Sequence, residues 1–165
     1  MTARLSKILL VVAIAVWLTL VAFGNITDYG SNLVFVQHVL AMDTIFPNAR
    51  IHYRAVHAPV LQHMAYLLII SAEALASVFC WTGVCRMWLV RRAPTSVFQR
   101  AKRSAVFGLS LAVMLWLGGF MAIGGEWFGM WMSAQWNGLA SAFRFVTVSL
   151  LALIYLGQRD DEIGD

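Results

Sequence analysis

The chain has 165 residues, of which 61% are hydrophobic and 12% charged, with a formal net charge of +4. Soluble domains carry about a quarter charged residues, so half that share points away from a soluble protein and toward lipid. The positive charge does not indicate nucleic acid, because the basic residues are sorted by topology and no folded platform with interleaved aromatics accompanies them.

Four apolar runs, residues 8–23, 66–84, 105–123 and 139–156, decide the class. Each approaches the roughly 20 residues needed to cross about 30 Å of hydrocarbon. The expected fold is an all-α membrane protein, a four-transmembrane-helix bundle with a structured outer (periplasmic) loop cap. It forms one integral membrane domain with spans near 5–24, 60–84, 104–124 and 138–157. The first run follows Arg4 and Lys7 like a signal peptide. It exceeds the usual ~7–15 residue apolar region, however, and no A-x-A cleavage site follows it, so it reads as a retained span.

The first connection, "GNITDYGSNLVFVQHVLAMDTIFPNARIHYRAVHAP", is long for a segment without regular structure. Asn32 is placed to cap a short helix over residues 33–42. That segment is apolar apart from Gln37 and His38, so it is expected along the membrane interface. Pro47 would stop any continuation, and Pro59 suits the first turn of the next helix.

The second connection holds Arg86, Arg91, Arg92, Arg100, Lys102 and Arg103, whereas the outer connections hold only Arg50 and Arg54. The positive-inside rule then places both termini and this loop in the cytoplasm. Cys80 and Cys85 fall near that reducing end without further Cys or His ligands, so neither a disulfide nor a zinc site is expected. They read as packing residues.

The third connection is "GGEWFGMWMSAQWNG". Gly124 and Gly125 should weaken the end of the third span. Trp127, Trp131 and Trp136 read as interfacial anchors, since an indole is apolar yet keeps a wet N–H. The tail "GQRDDEIGD" is short, acidic and expected to be mobile. Gly108, Ala112 and Gly119 in the third span would permit close helix approach.

Chemistry-bearing residues fall into two groups. All four histidines lie on the outer side, and His38, Asp43 and His63 form a candidate metal set, although no standard metal-ligand motif connects them. The other group is a buried charge network of Glu73, Glu126 and Arg144. Glu73 shares a helical stripe with Tyr66 and Ser77, below His63. A charged group inside a span costs at least ~2.5–3.5 kcal/mol, so it normally faces the interior and pairs. A structural Glu73–Arg144 clamp is the favoured reading; a proton relay or solute site is the other. No nucleophile triad, phosphate loop or dinucleotide fingerprint is present.

"DYGSNLVFVQHVLAMDT", Tyr53-Arg54-Ala55, Glu73, "GGEWFGMWMSAQWNG" and "AFR" at 142–144 together resemble the DUF2165 family of bacterial small integral membrane proteins. The likeness runs through nearly the whole chain. Tyr53 departs from the tryptophan expected before the Arg-Ala step. The resemblance implies a four-span protein of the bacterial inner membrane in which Asp43, Glu73, Glu126 and Arg144 matter together; it implies no reaction.

The functional expectation is a non-catalytic accessory subunit of a larger membrane complex. Its partners would be the lipid bilayer and another integral membrane protein or further copies of itself, with no nucleic acid. Two alternatives stay open. One is a metal-, haem- or quinone-binding protein using outer His, Met and Trp groups, and the other is a small transporter subunit using Glu73 and Arg144. The cofactor, if any, is unknown from sequence.

Overall fold

A backbone inside hydrocarbon finds no water, so a spanning segment must satisfy its N–H and C=O groups internally. The computed structural model, which describes residues 1–160, is helical with no strand among the described residues. In chain order its helices are α1 (Thr2–Thr27), α2 (Tyr29–Ala41), α3 (Pro59–Leu89), α4 (Thr95–Ala101), α5 (Arg103–Val113), a π-helical continuation of α5 (Met114–Trp127) and α6 (Leu139–Gly157). Four helical stretches are long and apolar enough to cross a membrane: α1, α3, Thr95–Trp127 and α6.

Helix α3 is central, packing against α1, α2 and α5. The main core joins Val11, Ile14 and Leu18 of α1 to Ala76 and Cys80 of α3, with Ala105 and Leu109 of α5 and Ala152 and Leu156 of α6. Glycines set the α3–α5 spacing. A Cβ at Gly83 would sit 2.5 Å from Cβ of Ala105, and one at Gly108 would sit 2.7 Å from the Ala76 carbonyl oxygen. Higher in the bundle, Phe145 is sandwiched between Trp17 and Trp116, each with ring centroids 4.0 Å away.

One local expectation is corrected. Only Asp28 separates α1 from α2, so the second helix starts before Asn32, which instead bonds the Asp28 carbonyl at 3.2 Å. The end of α2 falls at Ala41, close to the expected residue 42 and before Pro47. Met42 caps it, in a left-handed conformation (φ 54°) whose N–H bonds the His38 and Val39 carbonyls. The third span runs past Gly124 and Gly125 to Trp127 in a wider π-helical winding. Pro59 does open α3.

The two ends of the bundle are built differently. At the end holding the N-terminus and residue 160, Asp160 is buried between Lys7 (3.0 Å) and Lys102. Both lysines also donate to the Gln158 carbonyl, at 2.8 and 3.0 Å. One carboxylate thus ties the start of α1, the α4–α5 junction and the exit of α6. Arg4 adds hydrogen bonds to the Arg91 carbonyl and to the Thr95 hydroxyl. The expected mobility of the tail therefore fails as far as Asp160, which two buried ammonium groups hold; its remainder, 161–165, lies outside the described residues.

At the opposite end the first and third loops form one cap. Thr44 and Ser133 hydroxyls meet at 2.8 Å, and Arg54 donates to the Trp127 carbonyl at 3.2 Å. Its guanidinium lies 4.4 Å from the Trp127 ring centroid. Trp131 meets Phe46 edge-on at 5.8 Å, and Trp136 stacks on His38 at 4.4 Å. Each of the three tryptophans thus grips the first loop.

Burial alone would raise the Asp160 carboxyl, but hydrogen bonds from Lys102 and Lys7, with their charges, outweigh it and hold its pKa below the ordinary carboxylate value. Such a group stabilises the fold above its unfolded-state pKa of about 3.9, and that stability is lost as pH falls through the folded value. Asp160→Asn leaves two buried cations without a counter-charge and should cost ~3–5 kcal/mol. Thermal unfolding in detergent should show that gap in full at pH 7. The gap should close at pH values below the ordinary carboxylate range.

Candidate functional site

Glu73 stands near the midpoint of the 31-residue helix α3 and is 1% exposed. Its Oε2 accepts a hydrogen bond of 2.7 Å from the Asn25 amide on α1, while its Oε1 is buried with no hydrogen-bond partner. The other end of Asn25 is also fixed: the buried Tyr66 hydroxyl donates to the Asn25 main-chain oxygen at 3.0 Å and to Oδ1 at 3.3 Å. Asn25 thus links tyrosine and carboxyl, and its two amide faces are both used.

This group extends in both directions. Toward the cap, the Tyr29 ring lies 4.8 Å from that of Tyr66, and its hydroxyl is 2.8 Å from Nδ1 of the exposed His63. Away from the cap, Ser77 lies one helical turn below Glu73 and meets Thr19 at 2.7 Å. Trp81 donates to the same threonine at 3.0 Å. Beyond that level lies the apolar core around Val11, Ile14 and Cys80. The result is a polar column open at the cap end and closed at the other.

The candidates from the sequence are distributed unevenly around this column. His38 and Asp43 meet at 2.7 Å, but His63 pairs with Tyr29 instead. Among the described residues, no group of three or more His, Cys, Asp or Glu side chains is placed to hold a metal ion. The Glu73–Arg144 clamp is corrected as well. Arg144 and Glu126 are both exposed, and neither forms an ion pair with Glu73 among the described residues. The stripe on α6 that carries Arg144 turns it outward, while Ala142, Val146 and Ser149 face the bundle.

Sequence reasoning missed Asn25. An amide in the last turn of an otherwise apolar span was the available signal, and only the fold shows that it meets a helix 48 positions away.

Beside the column lies an apolar cavity of about 220 Å³ between α2, α3 and the π-helical segment. Phe35, Leu68, Gly119 and Gly124 are among its walls, and no hydroxyl, amide or charged side chain lines it.

A family model described as predicted small integral membrane protein (DUF2165) matches residues 3–159. The chain belongs to the DUF2165 family. No curated protein and no solved structure matches. As a DUF2165 protein it is a small integral membrane protein, and the site above lies within its matched region.

With no ion pair between them, Glu73 and Arg144 should act independently. Losses in detergent stability for Glu73→Gln and Arg144→Gln should add in the double variant to within ~0.3–0.5 kcal/mol. A larger coupling in a double-mutant cycle would restore the clamp.

Proposed function

We propose that this protein is a non-catalytic accessory subunit of a larger complex in the bacterial inner membrane, with both termini cytoplasmic. It offers its third span to a transmembrane helix of another protein. The supporting observation is how little the rest of the chain covers that span. Only 22% of its apolar window is buried, against 39% for α1. Within it, a Cβ at Gly118 would approach nothing nearer than the Met114 Cε of its own helix, at 3.9 Å. Glycine costs a helix ~0.8–1 kcal/mol relative to alanine, and no internal contact needs that glycine. Small residues let helices approach closely where lipid gives no hydrophobic drive. The exposed Met114 and Leu117 flank it.

Orientation rests on charge. The end holding Arg4, Lys7, Arg91 and Lys102 is the basic one, which is the cytoplasmic end by the positive-inside rule. The tryptophans of the cap then anchor the opposite, periplasmic interface. A second reading, binding of a quinone or similar lipid by its hydrocarbon tail, draws on the apolar cavity beside the same span.

A photo-crosslinking residue in place of Leu117 should give a discrete adduct with another integral membrane protein in intact membranes. The same residue in place of Leu9, exposed on α1, should give none. Gly118→Leu should fold normally yet lower the adduct yield, by about tenfold for each 1.4 kcal/mol by which association weakens. Adducts with a second copy would make it a homo-oligomer, and adducts with lipid alone at both positions would remove the proposal.

A further inference from the structure

We infer that Glu73 is a proton-binding site within the membrane, set at the foot of the polar column of His63, Tyr29, Tyr66 and Asn25 that rises to the cap. Geometry carries this. The carboxyl is 1% exposed, and no cationic side chain lies within ion-pair distance of it among the described residues. A bare carboxylate in such surroundings would bear a desolvation cost that one amide hydrogen bond does not offset. Neutralisation by a proton removes it.

The place of that proton is defined. Asn25 donates to Oε2, so Oε2 is engaged as an acceptor and the free oxygen is Oε1. A proton delivered by hydronium adds to Oε1 and leaves water; the carboxylate becomes a carboxylic acid and its charge goes from −1 to 0. A hard cation is served less well there, because both Asn25 oxygens already accept from Tyr66 and cations such as calcium take six or more oxygens.

No charge on the neighbouring elements replaces the proton. On α1 the nearest candidates are Asn25, which is neutral, and Asp28, which is exposed at the helix end. Tyr29 opens α2, and Tyr66 and His63 stand on α3 toward the cap. The basic groups of α4, α5 and their junction, Arg100, Lys102 and Arg103, stand at the opposite end, and the π-helical segment has no ionisable side chain before Glu126. On α6, Arg144 is exposed.

The column also places the site. His63 is exposed and bonded to Tyr29, which lies against Tyr66, which bonds Asn25 and through it Glu73. Below Ser77 and Thr19 the column meets packed aliphatic side chains. The site therefore holds its proton on the cap side of that apolar core.

Dicyclohexylcarbodiimide, an apolar reagent that attacks protonated carboxyls in dry surroundings, tests this on the full-length protein in detergent. Peptide mass spectrometry should place one adduct on Glu73, with Asp160 and Glu126 unmodified. Across a pH series the labelling rate should fall by about tenfold per pH unit once Glu73 loses its proton. Asn25→Leu, which removes the amide donor, should shift that profile, while Tyr155→Phe at the opposite end should leave it in place. Because the adduct is located in the wild-type chain, the test does not depend on a Glu73 variant folding. Absence of an adduct at Glu73, or a rate there that follows pH no differently from that of exposed carboxyls, would overturn the assignment.

Discussion

At Gly108 helix α5 presses so closely on α3 that a Cβ there would lie 2.7 Å from the Ala76 carbonyl oxygen and 2.8 Å from the Cys80 sulfur. Backbone against backbone leaves no room for water or lipid between these helices. Ala76 is less than one turn below Glu73 on α3, so this contact lies next to the level of the buried carboxyl. Gly83 repeats the approach two turns further down, against Ala105. Together they fix the spacing from which α1 and α6 take their packing.

With the middle of the bundle sealed this way, polar chemistry is confined to three levels. Asp160 neutralises Lys7 and Lys102 at one end, the cap gathers the tryptophans and histidines at the other, and between them Glu73 stands with Asn25 and Tyr66 above the Ser77–Thr19 pair. The end cluster ties three separate stretches of chain together, while the cap joins two loops through Thr44–Ser133 and Arg54–Trp127. Membrane interiors tolerate an ionisable group only where something compensates it. At Asp160 the compensation is ionic; at Glu73 it is an amide and a proton.

Much of this is legible in the sequence because hydropathy and length carry the membrane signal directly. The four apolar runs fall on the four spanning helices, and Pro59 opens α3 as its chemistry requires. Glu73, Tyr66 and Ser77 do share the buried face that their spacing implies. What fails depends on rotation and partner choice. Arg144 is turned outward by the pitch of α6, and a stripe along one helix does not say which neighbour faces it. Asn25 and Asp160 each look ordinary locally; their partners lie on distant helices. Among the small residues, Gly108 makes the close contact its position suggests, whereas Gly119 borders the apolar cavity and the role of Gly83 emerges only in the fold.

Thermal unfolding in detergent of Gly108→Leu beside Gly118→Leu tests the central claim, that close α3–α5 contact holds the bundle together. Both changes improve intrinsic helix propensity by up to ~1 kcal/mol, so any loss has to come from packing. Gly108→Leu should be destabilised by at least ~1–3 kcal/mol, the usual cost of overpacking a filled core. Gly118→Leu should match the wild type or exceed it slightly. Equal stability of the two variants would contradict the claim.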